Sequence, residues 1–97
     1  MADFEVEQGG SGAQLKLPPI LDLAAAEGFL AAARGIAGKP CDIDGSAVAR
    51  FSTPCAQVLM AFLRSGDDVK LVSPSEELTR SLTELGLMDE VSPRIKS

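Results

Sequence analysis

The feature that most restricts this fold is an alternation along the chain, in which short β-rich runs are each followed by a stretch with helical spacing. "KPCDIDG" at 39–45 holds a short extended run and precedes a helix-spaced segment that begins near Pro54, and "VKLV" at 69–72 leads directly into "SPSEELTRSL". Successive β-then-α units of this kind imply parallel neighbouring strands joined by crossover helices. Ahead of them, "DFEVE" at 3–7 alternates acidic and apolar residues, "QGGS" is turn chemistry, and "AQLKL" resumes the alternation, so a hairpin is expected. The order is two strands, helix, strand, helix, strand, helix. The expected fold class is α/β, a sheet of about four to five strands in mixed order with crossover helices packed on it.

Local signals set the element boundaries. Pro18 and Pro19 interrupt extended structure, and Asp22 is a candidate N-cap. The first helix is expected from Leu23 to about Ile36, with Ala26, Phe29, Leu30 and Ala33 at helical spacing and Gly35 or Gly38 as its stop. Its interior Gly28 costs ~1 kcal/mol relative to alanine. In the second helix Cys55, Val58, Leu59, Phe62 and Leu63 form one apolar face, closed by "SGDD". The third is expected to start with Ser73 as N-cap, Pro74 at N1 and Glu76 at N3, to bury Leu78, Leu82 and Leu85, and to stop at Gly86. "LMDEV" reads as a last apolar turn or short strand. One domain spans 1–97, with its core at about 3–91 and a loose tail at 92–97, and at 97 residues the chain can bury a single core.

Charge narrows the partners. Nine Lys and Arg against 14 Asp and Glu give a net charge of -5, which disfavours nucleic acid and anionic lipid surfaces. No Trp or Tyr is present to stack on bases. No signal-like or membrane-spanning run is evident, so the expected location is the cytoplasm, where Cys41 and Cys55 stay reduced. Without histidine, neither a Cys-His metal site nor a Cys-His nucleophile can be assembled. Asp42 and Asp44 share one strand face with no third oxygen ligand spaced for them, so no metal and no other cofactor is expected. "GGSG" at 9–12 lacks the Lys-Ser/Thr of a phosphate loop and precedes a strand. The acidic pairs Asp67-Asp68, Glu76-Glu77 and Asp89-Glu90 read as solvated faces.

The segment "DIDGSAVARFSTPCAQVLMAF" at 42–62 carries the candidate site. Thr53 as N-cap and Pro54 at N1 would account for its residue types without any function. The same geometry suits a phosphoryl group, because free amides and the helix dipole favour negative charge. A thiolate enzyme built on Cys55 at the helix start is a further candidate, though no Cys-x5-Arg signature accompanies it.

The whole pattern, "DIDGSAVARF", "STPC", "AQVLMAFLRS", "VKLVSPSEEL" and "LGL", resembles the STAS domain over about residues 13 to 91. That family includes anti-sigma-factor antagonists, accessory subunits of phospholipid-transport ATP-binding cassette systems, and the cytoplasmic tails of sulfate transporters. The resemblance implies a non-enzymatic binding protein that acts by partner switching in bacterial stress or chemotaxis signalling. Its partner would be an anti-sigma factor or a histidine-kinase-like ATPase. The alternative is the accessory transport subunit, bound to a transporter ATPase. The family opens this helix with Asp-Ser/Thr-Ser/Ala-Gly; here Ser52 replaces the aspartate, Thr53 matches the first hydroxyl, Pro54 takes the usual phosphoserine position and Cys55 replaces glycine. Thr53 and Ser52 are therefore the phosphoacceptor candidates. The expected partner surface comprises Asp44, Ser46, Arg50, Phe51, Ser52, Thr53, Pro54, Cys55 and Gln57, with no direct membrane insertion.

Overall fold

A computed structural model describes residues 4–9, 12–36, 40–65 and 68–96. The elements in chain order are β1 (Glu5–Gly9), β2 (Gly12–Lys16), β3 (Ile20–Leu21), α1 (Leu23–Gly35), β4 (Cys41–Asp44), β5 (Arg50–Phe51), α2 (Thr53–Arg64), β6 (Val69–Val72), α3 (Glu76–Glu84), α4 (Met88–Val91) and β7 (Ile95–Lys96), with one 3₁₀ turn at Ser92–Arg94. Five strands form the main sheet in the order β1-β2-β4-β6-β7. β1 pairs antiparallel with β2, as the hairpin reading requires, and every other neighbour in this sheet is parallel.

Register explains which face of the sheet holds the core. Ala13, Cys41 and Val69 lie in one row across three strands, and Leu15, Ile43 and Leu71 in the next; all six are buried. Gln14, Asp42 and Lys70, then Lys16, Asp44 and Val72, occupy the intervening rows and stay exposed or half-buried. Parallel sheets usually need apolar cover on both faces and continuous apolar strands. Here the strands alternate, so one face meets the helices and the other stays polar. Burying each Leu or Ile on the core face contributes about 1.5–3 kcal/mol.

The helices close that face with Ala25, Phe29 and Ala33 of α1, Cys55, Ala56, Leu59, Met60, Phe62 and Leu63 of α2, and Leu78 and Leu82 of α3. The α1 stripe is turned slightly from the expected one: Ala25 joins Phe29 and Ala33, while Leu30 is exposed. Asp22 caps α1 as expected, its Oδ1 accepting from the Ala25 N–H at 3.0 Å. Gly28 has a reason that sequence alone did not supply. Phe4 stacks on Phe29 with centroids 5.5 Å apart, and a Cβ at Gly28 would come within 3.2 Å of the Phe4 ring.

Two boundaries differ from expectation. α3 is capped by Ser75, whose Oγ accepts from the Leu78 N–H at 3.0 Å, whereas Ser73 has a φ of 48° and lies outside the helix. "SPSE" offers two hydroxyls, and the tertiary contacts of Ser75 select between them. Its N–H donates to the Gly45 carbonyl at 3.0 Å and its hydroxyl to the Val48 carbonyl at 2.6 Å. The second difference is the tail, which is not loose over 92–96: Ile95 pairs with Leu71 and Lys96 with Val72, covering the open edge of β6. Its pairing is non-local and two residues long, too short to leave a period. Leu85, expected in the core, is exposed, and "MDEV" is a helical turn. Gly86 does end α3, with a φ of 74° and the Leu87 N–H donating back to the Leu82 carbonyl at 2.9 Å. Among the described residues no helix is long and apolar enough to cross a membrane.

Candidate partner-binding site

The loop from Gly45 to Ser52 is held by three neighbouring segments. Gly45 donates its N–H to the Val72 carbonyl at 3.1 Å, and Ala49 and Arg50 both donate to the Pro19 carbonyl, at 2.7 and 3.0 Å. Ser52 N–H reaches the Leu21 carbonyl at 2.8 Å, and Ser75 anchors Val48 from α3. Between these ties β3 and β5 form a two-residue parallel pair, Ile20 opposite Arg50 and Leu21 opposite Phe51. The loop therefore presents its outward side chains from a fixed backbone.

At its start the Ser46 N–H donates to Asp44 Oδ1 at 2.9 Å. Hydrogen bonds from the Ser46 backbone and side chain, aided by the nearby Lys16 charge, hold the Asp44 carboxyl below its ordinary 3.8. Asp44 is thus charged at neutral pH. Among the described residues no three His, Cys, Asp or Glu side chains are grouped as metal ligands.

At its end the helix begins one residue earlier than expected. Ser52, not Thr53, occupies the N-cap position, Thr53 is the first helical residue, and Pro54 follows within the first turn, where a missing N–H costs nothing. Ser52 does not cap with its side chain: its Oγ is buried and has no hydrogen-bond partner. A phosphoryl donor cannot reach it in this arrangement, whereas Thr53 is exposed. Because Thr53 satisfies no backbone amide, Thr53→Ala is expected to change stability by less than about 0.5 kcal/mol. Ser52→Ala, which removes an orphaned buried hydroxyl, is expected to be neutral or stabilising by up to about 1 kcal/mol. Urea denaturation of both variants measures this, and a loss above about 1 kcal/mol for Ser52→Ala would mean that its hydroxyl has a partner.

Cys55 is fully buried, and its thiol meets the Asp22 carbonyl with Sγ at 3.4 Å from the oxygen. Burial pushes its pKa up, and the nearby Asp22 charge adds to the rise. In the core of the sheet, burial and the neighbouring Asp42 push the Cys41 thiol up to about 11. Neither environment suits a thiolate nucleophile at neutral pH. With an aromatic disulfide reagent, the folded chain is expected to react only as fast as it opens, and both free cysteines should titrate promptly in denaturant. Rapid native reaction at Cys55 would contradict this.

Of the nine residues expected at a partner surface, Ser46, Arg50, Thr53 and Gln57 are exposed; Asp44, Phe51, Ser52 and Pro54 are half-buried; and Cys55 is inside. The structure brings the exposed ones to one end of the sheet, where the start of α1 also lies, tied in by the Asp22–Cys55 contact. β3 and the start of α1 add two residues that no sequence motif singles out. Ile20 is 43% and Leu23 72% exposed, and both are large apolar side chains. Leu23 sits off the buried Ala25, Phe29 and Ala33 stripe, which is the signal that could have identified it.

The fold matches the STAS domain of anti-sigma factor antagonists. The unphosphorylated form of the anti-sigma factor antagonist SpoIIAA superposes with a TM-score of 0.73 at 16% identity, over 97% of this chain and 86% of that one. An anti-sigma-factor antagonist (STAS) domain protein from Planctomyces limnophilus gives a TM-score of 0.65 at 25% identity, over 94% of this chain and 86% of the other. No protein-family model and no curated protein matches the chain.

Proposed function

We propose that this chain is a non-enzymatic STAS-type binding protein that acts by partner switching in bacterial signalling, in the cytoplasm, through the surface around Thr53. The observation that carries this reading is the exposed Thr53 hydroxyl at the start of α2, on a loop held by backbone hydrogen bonds and beside the exposed Ile20 and Leu23. Exposed apolar side chains grouped with polar ones mark protein interaction surfaces. The partner is an anti-sigma factor or a histidine-kinase-like ATPase, in keeping with the antagonist names of the two structural neighbours.

Thr53 takes the phosphoacceptor role that Pro54 vacates. A phosphate there adds about -1.5 to -2 charges next to the amide-rich, positive end of α2, which tolerates it, and in the middle of a surface that a partner must desolvate. Binding is on when Thr53 is free and off when it is modified. Asp44, Ser46, Arg50, Phe51 and Gln57 supply the surrounding contacts. Thr53→Glu is accordingly expected to lower partner affinity by about tenfold or more with stability unchanged, while Thr53→Ala keeps affinity. Leu23→Asp, tolerated at a helix N-terminus, tests the apolar part of the same surface. Equal affinities for all three variants, read by calorimetry against the captured partner, would refute this surface.

A second reading, an accessory subunit of a phospholipid-transport ATPase complex, is favoured by one observation. The pattern that the resemblance gives for those relatives is close to Asp-Thr-Ala/Ser-Gly, which Thr53 matches while Ser52 and Cys55 depart from it, and Thr53 is the exposed hydroxyl of the pair. In that case the partner is the transporter ATPase and Thr53 is never modified.

A further inference from the structure

We propose that the outer face of α1 is a self-association surface, on which a second copy of this chain packs its own α1 antiparallel across a two-fold axis between Leu30 and Ala31. The inference is independent of the Thr53 surface and uses none of its residues. α1 turns Ala25, Phe29 and Ala33 into the core. The opposite side of the helix carries Glu27, Leu30, Ala31 and Arg34, at i, i+3, i+4 and i+7, and all four are exposed. Leu30, 36% exposed, lies in the middle of this stripe with one charge of each sign on either side. Among the described residues neither Glu27 nor Arg34 has an ion-pair partner. Ion pairs within a helix form between residues three or four apart, whereas these two are a full heptad apart.

Charge and symmetry select the occupant. In an antiparallel pair centred between Leu30 and Ala31, Glu27 of each copy lies level with Arg34 of the other, so a single axis makes two identical ion pairs. Leu30 of each copy lies level with Ala31 of the other, a large side chain opposite a small one. A parallel pair would set Glu27 against Glu27 and Arg34 against Arg34, which repel. A wholly acidic or wholly basic helix would match one of the two charges and oppose the other. At the end of α1 nothing obstructs the approach, since a Cβ at Gly35 would meet no atom within 4 Å. Leu23 falls level with a position past Gly35, the last residue of the second α1, so the Thr53 surface stays open in the dimer. One helix pair buries less than the ~1,200 Å² of a stable interface, so the dimer is weak, with a dissociation constant above about 10 μM.

Sedimentation equilibrium of the full chain from about 10 μM to about 1 mM, in about 0.15 M salt to screen the net charge of -5, tests this. The unaltered chain is expected to dimerise reversibly across that range. Glu27→Arg and Arg34→Glu each set like charges against one another at both pairs, and each is expected to weaken the dimer about tenfold or more. Both are exposed helical positions given good helix formers, and circular dichroism checks that the variants fold. Mixing the two variants restores opposite charges at both pairs, so a heterodimer is expected with affinity near that of the unaltered chain. The chain carrying both reversals is expected to dimerise likewise. A monomer at every concentration, which would leave this face to a different protein, a dimer that both reversals leave intact, or a mixture of folded variants that stays monomeric would overturn the proposal. Such a failure leaves the Thr53 surface standing, since that surface is tested at Thr53 and Leu23.

Discussion

Gly45→Ala is expected to lower stability by about 1–3 kcal/mol, although it adds only one methyl group. A Cβ at this position would lie 2.6 Å from Leu78 Cδ2, 3.5 Å from Leu71 Cδ1 and 3.5 Å from Pro74 Cα. Leu78 and Leu71 are both fully buried, so neither can swing into solvent to make room. The same residue ties β4 to β6 through Val72, and its carbonyl receives the N–H groups of both Val48 and Ser75. Displacing it moves the end of β4, the cap of α3 and the start of the loop to Ser52 together. Combining the change with Leu78→Ala separates packing from other causes. If the clash dominates, the double variant loses less than the sum of the single losses, because contacting residues are not additive. Full additivity in urea denaturation would show that the methyl is accommodated some other way.

Phe29→Ala is expected to cost more, about 3–5 kcal/mol, which is a large share of the ~5–15 kcal/mol available to a small domain. Phe29 is fully buried at the centre of the α1 stripe and carries Phe4 stacked on its outer side. Removing the ring leaves a cavity and also strips Phe4 of its support, so the anchoring of β1 over α1 weakens with the core. The guanidinium unfolding midpoint measures this. A loss below about 1.5 kcal/mol would mean that the neighbouring side chains collapse into the space.

Period-two and period-3.6 patterns made most of the fold legible. The hairpin, β4, α2 and β6 each carry enough residues for the pattern to repeat, and the parallel order follows from the crossovers between them. β3, β5 and β7 escaped because each has two residues, and two residues have no period. Their pairings depend on what the rest of the chain brings alongside. The caps were legible in kind but not in position: "STPC" and "SPSE" each contain more than one hydroxyl that could start a helix. Long-range contacts choose among them, Leu21 fixing the backbone of Ser52, and Gly45 and Val48 fixing Ser75. At the site, Thr53, Arg50 and Gln57 could be selected as polar residues near a helix start. The inaccessibility of the Ser52 hydroxyl and of Cys55 could not, because it arises from the packing of Asp22 and α1 against the beginning of α2.

In the proposed function, Thr53 sits in a surface that binds a protein and is switched by phosphorylation. Affinity capture of the tagged chain from the cells that make it, with mass spectrometry of bait and co-purifying proteins, tests it most directly when run beside Thr53→Glu and Leu23→Asp. The proposed switch predicts recovery of an anti-sigma factor or a kinase-like ATPase by the unmodified chain, phosphate on Thr53 in the unbound fraction, and loss of the partner from both variants. Capture of a transporter ATPase by an unmodified bait, or of any partner held equally by all three forms, would contradict it.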